Sequence, residues 1–271
     1  MAAPGFVMVQ AVVQGTCVSV QRKDLEGEEE WQDENFFDAE YSIAASTGML
    51  MWEGSWAAVE LLRDPQSWLT QLLHGKRVVE LGAGIGLLGL CSAVVGAHVL
   101  LTDVAPVVDS VLRPNIVANG SQVVDTEGLA MGTGAWEGAV RVGQGSASAQ
   151  GLNWLTPLEE QSTPLDPRDA DIILAAECVW LSELVQPFVH TVLGLLGGGA
   201  AVCVLAFRER SVESSTTFCS GATVISAFED AGCHVLTHGE FDAPETRGVH
   251  GCGPVSMYEI RKPPQGEIAR R

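Results

Sequence analysis

The stretch Val78-Val79-Glu80-Leu81-Gly82-Ala83-Gly84-Ile85-Gly86 decides the fold of this 271-residue chain. A short apolar run ends in a carboxylate and three alternating glycines. The helical apolar pattern of residues 87–95 follows, and a second apolar run then ends in Asp103. This order predicts a strand, a tight turn, a helix and a second strand. Because glycine tolerates positive φ and has no Cβ, a flat polar ligand can lie against this turn, at the carboxyl ends of the strands.

The spacing of the glycines and acids distinguishes between ligands for this turn. Gly84, Gly86 and Gly89 match the dinucleotide pattern G-x-G-x-x-G, and Asp103 lies about where a ribose-binding acid falls. Glu80, however, comes just before the first glycine, where it would repel a pyrophosphate and hold a ligand ammonium. The pattern E-x-G-x-G-x-G therefore favours S-adenosylmethionine, which has an amino group and a ribose but no phosphate. A dinucleotide, or a tight turn that binds no ligand, is the alternative.

The charge balance of the chain limits its partners. The sequence has 15 basic residues against 34 acidic ones, and its formal net charge is -19 at pH 7. Such a field repels nucleic acid and anionic membranes, and it attracts a basic partner such as a lysine-rich protein surface. We therefore predict no direct nucleic-acid or membrane binding. The alternative explanation is that the acidity only keeps the chain soluble.

Cysteine use and hydropathy indicate a compartment. The 7 cysteines include no C-x-x-C pair, which predicts a reducing, intracellular environment without a disulfide framework. The first five residues lack the features of a secretory signal. Residues 78–101 are interrupted by Glu80 and glycines, and residues 192–207 are too short to span a membrane. The histidines show no metal spacing either, so we expect no metal site. We further expect a soluble monomer in the cytoplasm, with the nucleus as an alternative.

Strand and helix patterns alternate over most of the chain and predict an α/β fold. We expect a doubly wound sheet of seven strands, mostly parallel, with a small N-terminal β-hairpin within residues 6–20. The last two strand patterns, 234–241 and 255–261, are separated by a loop without a helical pattern. A connection of this kind predicts that the last strand is antiparallel.

Composition divides the chain into three parts. Residues 1–45 hold the hairpin and an acidic linker, residues 46–263 form the main domain, and residues 264–271 form a tail. Within the main domain, residues 120–151 are rich in Gly, Ser and Ala. They predict a long, flexible loop that interrupts a strand, and Leu152-Asn153-Trp154 is expected to end that strand.

Further motifs stand in a fixed order along the chain. They are the strand of residues 15–20, T-G-x-x-x-W-E at 47–53, the glycine motif at 80–86, Thr102-Asp103, Asn115 with Asn119, Leu152-Asn153-Trp154, Phe207-Arg208-Glu209-Arg210 and Met257-Tyr258-Glu259-Ile260. In this order the set resembles the class I, seven-β-strand methyltransferases, and among them methyltransferase family sixteen, which contains protein-lysine methyltransferases. The resemblance covers most of the chain and implies a Rossmann-like methyltransferase domain.

The resemblance implies S-adenosylmethionine as the cofactor and assigns nine residues to its binding. These are Trp52, Glu80, Gly82, Ala83, Gly84, Asp103, Asn153, Trp154 and Ala176. Carried over by position, Glu80 and Gly82 hold the methionine end, and Asp103 accepts from the ribose hydroxyls. Trp154 packs on or near the adenine, with a hydrogen bond from Asn153 nearby. Trp52 closes over the cofactor from the N-terminal side.

One motif departs from the family. The pattern D-x-x-Y after the fourth strand here reads Glu177-Cys178-Val179-Trp180. Glu adds a methylene, and Trp donates only from its ring N–H, so both changes bear on substrate choice and activity. We expect Glu177 to bind and orient a substrate ammonium and Trp180 to form a wall, since aromatic faces favour cations by about 0.5–2 kcal/mol. The alternatives are a cofactor-side or helix-capping role for Glu177 and simple packing for Trp180.

Together these features predict an S-adenosylmethionine-dependent enzyme that methylates a lysine side chain of a basic or lysine-presenting protein. Three other functions stay open at this point. The chain could methylate a small molecule, use a dinucleotide as an oxidoreductase, or serve as a non-catalytic interaction module on a methyltransferase fold.

Overall fold

The computed structural model describes residues 5–24, 47–121, 134–209, 217–242 and 254–262. The strands are β1 (Phe6–Val13), β2 (Thr16–Lys23), β3 (Arg77–Leu81), β4 (His98–Asp103), β5 (Val140–Val142), β6 (Gly145–Gly151), β7 (Ile172–Ala176), β8 (Val202–Arg208), β9 (His234–Phe241) and β10 (Val255–Arg261). The α-helices are α1 (Glu53–Arg63), α2 (Trp68–Leu73), α3 (Leu87–Val94), α4 (Ala105–Val107), α5 (Arg113–Asn119), α6 (Val185–Gly198) and α7 (Gly221–Asp230). A π-helical turn (Val108–Leu112) joins α4 to α5, and short 3-10 turns lie at Leu158–Glu160, Pro167–Asp169 and Ser182–Leu184.

The main sheet has the order β5-β6-β4-β3-β7-β8-β10-β9. Strands β6, β4, β3, β7 and β8 are parallel, whereas β10 runs antiparallel to both β8 and β9. Strands β1 and β2 form a separate antiparallel hairpin. The α/β class, the antiparallel last strand and the N-terminal hairpin are therefore confirmed. The predicted number of seven strands was wrong, because β5 adds an eighth at the edge.

Strand β6 corrects the prediction of a loop over residues 120–151. It pairs in parallel with the whole of β4, and β5 pairs with it as an antiparallel edge strand. Small residues are needed here because the chain passes close to its neighbours: a Cβ at Gly145 would clash with the carbonyl oxygen of Ala97. Leu152-Asn153-Trp154 follows the strand and does not end it. Residues 122–133 of the predicted loop lie outside the described residues, as do the acidic linker from residue 25 on and the tail of residues 264–271.

Helices cover both faces of the main sheet. Alternate residues of each central strand point to opposite faces, so that Val78 joins the core beneath α1 to α5 and the hairpin, while Val79 joins the core beneath α6 and α7. Successive apolar residues in β3, β4, β7 and β8 are buried on both faces, which explains their unbroken apolar runs. Among the described helices, none has the length and apolar character needed to cross a membrane.

Candidate functional site

The glycine motif forms a tight turn between β3 and α3, at the carboxyl edge of the sheet. Gly82, Gly84 and Gly86 have φ values of 63°, 54° and 83°, a region that favours glycine. The space around them is also filled. A Cβ at Gly82 would clash with the Cβ of Cys178, and a Cβ at Gly84 would lie 2.9 Å from the carbonyl oxygen of Gly48. Backbone approaches of this kind explain why the sequence keeps glycine in the turn.

Strand β4 holds the turn from one side. The N–H of Ala83 donates to the carbonyl oxygen of Thr102 over 2.9 Å, and the Thr102 hydroxyl donates to the carbonyl oxygen of Glu80 over 2.7 Å. Asp103 accepts from the N–H of Gly84 through Oδ2 and from that of Val104 through Oδ1, both over 2.8 Å. Each carboxylate oxygen has further lone pairs, so Asp103 can also accept from a ligand hydroxyl. Burial raises the pKa of Asp103 to about 6, and its two N–H donors oppose that rise.

Glu80 lies beneath the turn with 2% of its surface exposed. Its Oε2 lies beside Gly89, in the first turn of α3, and has no hydrogen-bond partner among the described residues. Burial raises the pKa of Glu80 to about 8. The Gly89 N–H lowers that pKa, and the charge of Asp103 adds to the rise. A buried carboxylate without a full set of partners is costly, so this site favours either a proton or a bound cation.

Trp154, Asn153 and Ala176 line the neighbouring edge. The ring of Trp154 lies 3.3 Å from the position of a Cβ built on Gly82, and the loop that carries it is fixed by hydrogen bonds of Gln161 to the backbone of Asn153. Asn153 also accepts from the N–H of Leu155 over 3.0 Å. Ala176 is the last residue of β7. The structure thus brings Trp154 to the glycine turn, while the ligand contacts assigned to Asn153 and Ala176 stay predictions.

Glu177 lies just after β7, with a left-handed φ of 51° and 4% of its surface exposed. Its N–H donates to the carbonyl oxygen of Ala206 over 2.9 Å. Its carboxylate accepts from the N–H of Gly54, in the first turn of α1. A Cβ at Gly54 would lie 2.6 Å from Glu177 Cγ, so the two residues are in close contact. These contacts fit the helix-capping alternative, and the role of Glu177 towards substrate stays a prediction.

Three aromatic rings lie in a row beside Glu177. Trp180 lies between Trp52, at a centroid distance of 6.4 Å, and Phe218, at 5.8 Å. Trp52 is fixed by its ring N–H, which donates to the carbonyl oxygen of Thr47 over 3.0 Å. The structure therefore brings together Trp52 and Trp180, which the sequence assigned separately to the cofactor and to the substrate. Phe218 is an addition that no sequence motif indicated.

A buried ion pair supports the same edge. Glu53, 1% exposed, lies 3.4 Å from the guanidinium of Arg208, which is 13% exposed. The sequence motifs contain both residues but do not predict their pairing, since it joins the first residue of α1 to the last of β8. Arg210, the last residue of the motif at 207–210, lies outside the described residues. Within the described part of the chain, no group of three or more His, Cys, Asp or Glu side chains could hold a metal ion.

The sequence matches a family model and several known proteins. The model of the lysine methyltransferase family matches residues 32–223. The chain is 34% identical over 139 residues to the protein N-lysine methyltransferase METTL21A of Danio rerio, a match that covers 51% of this chain and 52% of that protein. It is 26% identical over 190 residues to the calmodulin-lysine N-methyltransferase of Arabidopsis thaliana, with coverages of 69% and 53%. The chain thus spans about half the length of the relatives it matches.

Solved structures share the architecture. The 16S rRNA N2 methyltransferase RsmC of T. Thermophilus, solved with AdoMet and guanosine, aligns with a TM-score of 0.51. The alignment covers 96% of this chain and 52% of that one, at 14% sequence identity. At this identity the likeness shows the fold alone, which is that of a Rossmann-like methyltransferase.

Proposed function

This chain belongs to the lysine methyltransferase family, and from that premise we propose that it transfers a methyl group from S-adenosylmethionine to a lysine side chain of a protein. The observation that carries the proposal is the pair of acids at the glycine turn. Asp103 holds the turn and keeps lone pairs for a hydroxyl, and the buried Oε2 of Glu80 has no hydrogen-bond partner in the part of the chain that the structure describes. An ammonium and a ribose suit these two acids.

The residues present fit the cofactor. Glu80 would balance its ammonium, Asp103 would accept from its ribose, and the backbone of Gly82 and Gly84 would allow close approach. Trp154, beside Gly82, would pack against the adenine. When bound, the cofactor supplies a sulfonium methyl group that a neutral amine can displace. A dinucleotide fits less well, because its pyrophosphate would meet the carboxylates of Glu80 and Asp103.

The substrate side lies at the row of aromatic rings. A lysine ammonium has a pKa of about 10.4 in water and must lose its proton before it attacks. An apolar wall favours the neutral amine by desolvation, and a held side chain is aligned for in-line displacement. We assign this wall to Trp180. Glu177, whose carboxylate accepts from Gly54, would act on the same site by fixing the start of α1 and therefore Trp52.

The charge of the chain supports a basic partner. A net charge of -19 attracts a lysine-rich protein surface and disfavours direct contact with nucleic acid or an anionic membrane. The six described cysteines are all free, which suits a reducing compartment. We propose that the protein works as a monomer in the cytoplasm or the nucleus.

Incubation with radiolabelled S-adenosylmethionine and cell extract tests the proposal. Wild type should label a protein band, and Asp103→Ala should lose that band, since it removes the acceptor that holds Gly84. Asp109→Ala is the matched control, because among the described residues this exposed side chain pairs with the exposed Arg113 alone. The control should label the band as wild type does.

The other outcomes select between the alternatives. Cofactor binding by calorimetry without any labelled band would replace the proposal with a small-molecule methyltransferase or a non-catalytic module. These alternatives are favoured by the departure from the family motif D-x-x-Y, in which this chain has Glu177 in place of Asp and Trp180 in place of Tyr. Absence of cofactor binding would contradict the proposed cofactor itself.

A further inference from the structure

We propose that Asn115 is a positioning residue that couples the N-terminal hairpin to the glycine turn, so that a docked hairpin strengthens cofactor binding. The inference rests on the proposed function for its ligand. The coupling itself concerns two parts of the protein, the hairpin β1–β2 and the turn of residues 82–86, and can be measured without a ligand.

The Asn115 side chain, which is fully buried, bonds to both parts at once. Its Oδ1 accepts from the N–H of Gln21 in β2 over 2.8 Å. Its Nδ2 donates to the carbonyl oxygen of Gln21 over 3.0 Å and to that of Ile85 over 2.9 Å. Ile85 lies between Gly84 and Gly86, so one amide group fixes the turn and the hairpin strand together. Because the amide is buried, loss of any of these bonds leaves a polar group without water.

Asn119 attaches the same strand without touching the turn. It accepts from the N–H of Ser19 over 2.9 Å and donates to the carbonyl oxygen of Ser19 over 2.7 Å. Residues four apart on a helix lie about 6 Å apart along its axis, and residues two apart on a strand lie about 6.6 Å apart, so the two spacings match. Asn115 and Asn119 therefore both bond to the edge of β2 that does not pair with β1. Asn115 differs in that it also donates to Ile85.

The hairpin also reaches the turn indirectly, through residues 48 and 49. The N–H of Lys23, at the end of β2, donates to the carbonyl oxygen of Met49 over 2.9 Å. The preceding residue, Gly48, brings its carbonyl oxygen to 2.9 Å from the position of a Cβ on Gly84. Strand β2 thus supports the turn from two directions, at Ile85 and at Gly84. Since coupling between two sites is reciprocal, a ligand that orders the turn must also favour the docked hairpin.

Two matched pairs of variants test the coupling. Asn115→Ala and Asn119→Ala each remove one amide that attaches β2, but only Asn115→Ala frees Ile85. Gln21→Pro and Ser19→Pro each remove one N–H that bonds to an asparagine and is not part of the β1–β2 ladder. Both proline substitutions lie in the hairpin, so neither changes a residue of the turn.

Calorimetry with S-adenosylmethionine and amide hydrogen exchange without it are the two measurements. We expect Asn115→Ala to weaken cofactor binding about tenfold, as the loss of one to two hydrogen bonds implies, and Asn119→Ala to stay within about twofold. Without ligand, Gln21→Pro should speed exchange at Gly84 and Gly86, and Ser19→Pro should not. Urea unfolding of all four variants measures the loss of stability, which should be larger for Asn115→Ala than for Asn119→Ala because only Asn115 is fully buried.

The outcomes separate the coupling from the proposed function. Equal cofactor affinities for Asn115→Ala and Asn119→Ala, in a protein that binds the cofactor, would overturn the coupling and leave the function standing. If wild type binds no cofactor, the function fails, and the exchange rates of Gly84 still decide the coupling. Equal exchange at Gly84 in Gln21→Pro and Ser19→Pro would overturn it as well.

Discussion

Two buried glutamates mark the ends of neighbouring parallel strands, and they differ in how they are satisfied. Glu80, near the end of β3, has a pKa raised to about 8 by burial, and its Oε2 lacks a hydrogen-bond partner within the described segments. Glu177, just after β7, accepts from the N–H of Gly54 and so fixes the start of α1. The unpartnered oxygen of Glu80 is available to a ligand, whereas the carboxylate of Glu177 already accepts a hydrogen bond within the fold. The two acids at this edge therefore differ in the bonds that the fold already supplies to them.

The largest effect is expected at the turn above Glu80. Gly82→Ala would place a Cβ against Cys178 in a left-handed conformation that costs about 1–2 kcal/mol by itself. We expect cofactor binding to fall by more than about 30-fold, because overpacking shifts the turn and adds 1–3 kcal/mol. Calorimetry with S-adenosylmethionine measures this. Gly138→Ala is the control, since Gly138 has a φ of 68° and open space around it, and it should bind normally.

Glu80→Gln should weaken cofactor binding about 10- to 100-fold, because a charge-assisted hydrogen bond contributes roughly 1.5–3 kcal/mol. The wild type should also release a proton on binding near pH 7, since the ammonium favours the ionised form of a group whose pKa is about 8. Calorimetry in buffers of different ionisation enthalpy measures that proton. Unchanged affinity in Glu80→Gln would assign Glu80 to the packing of α3 alone.

The stability of the free protein should depend on pH in a defined direction. Between about pH 4.5 and 8 the folded chain keeps a proton on Glu80 that the unfolded chain has lost. The free energy of unfolding therefore falls as pH rises through this window, by at most about 1.4 kcal/mol per pH unit for this group. Asp103, with a pKa of about 6, acts in the same direction at lower pH. Urea unfolding at pH 5 and pH 8.5 should show a smaller fall in Glu80→Gln than in wild type.

Substitutions of Glu177 should change stability clearly only when they remove the oxygen that accepts from Gly54. Glu177→Gln keeps an oxygen that can accept from Gly54, so we expect a stability change below about 1 kcal/mol, whereas Glu177→Ala should cost about 1–3 kcal/mol through the lost acceptor. Thermal unfolding measures both. If Glu177→Gln abolishes turnover while cofactor affinity and stability stay unchanged, its carboxylate acts on the substrate, and the contrast with Glu80 disappears.

The smallest effect is expected for Trp180→Tyr, which restores the residue of the family motif. Trp180 packs between Trp52 and Phe218, and a Tyr keeps an aromatic face at that position. We expect KM for the protein substrate to change by less than about tenfold, or about 1.4 kcal/mol, with cofactor affinity unchanged. Steady-state kinetics on the labelled protein identified from extract would measure this. A change in cofactor affinity would move Trp180 to the cofactor side.

The sequence allowed the turn and its two acids to be predicted because they lie within one βα unit, where glycine spacing and strand ends are local features. Strand β6 was missed because its Gly, Ser and Ala residues have the composition of a loop. Gly145 has no side chain because the carbonyl oxygen of Ala97 approaches it, a contact that only the assembled sheet reveals. The bond of Glu177 to Gly54 joins residues 123 positions apart and leaves no periodic signal. The link from Asn115 to Ile85 was hidden for the same reason.

The position of β10 has a consequence for anyone who prepares a shorter recombinant fragment. The residues matched by the family model end at 223, but β10 comes later in the chain and lies between β8 and β9 in the sheet. A fragment of residues 32–223 would leave the edge of β8 unpaired, and this strand is almost entirely buried in the whole protein. An apolar open edge is a template for intermolecular pairing, so such a fragment should aggregate. A fragment that keeps the edge of β8 paired therefore extends at least through Arg261.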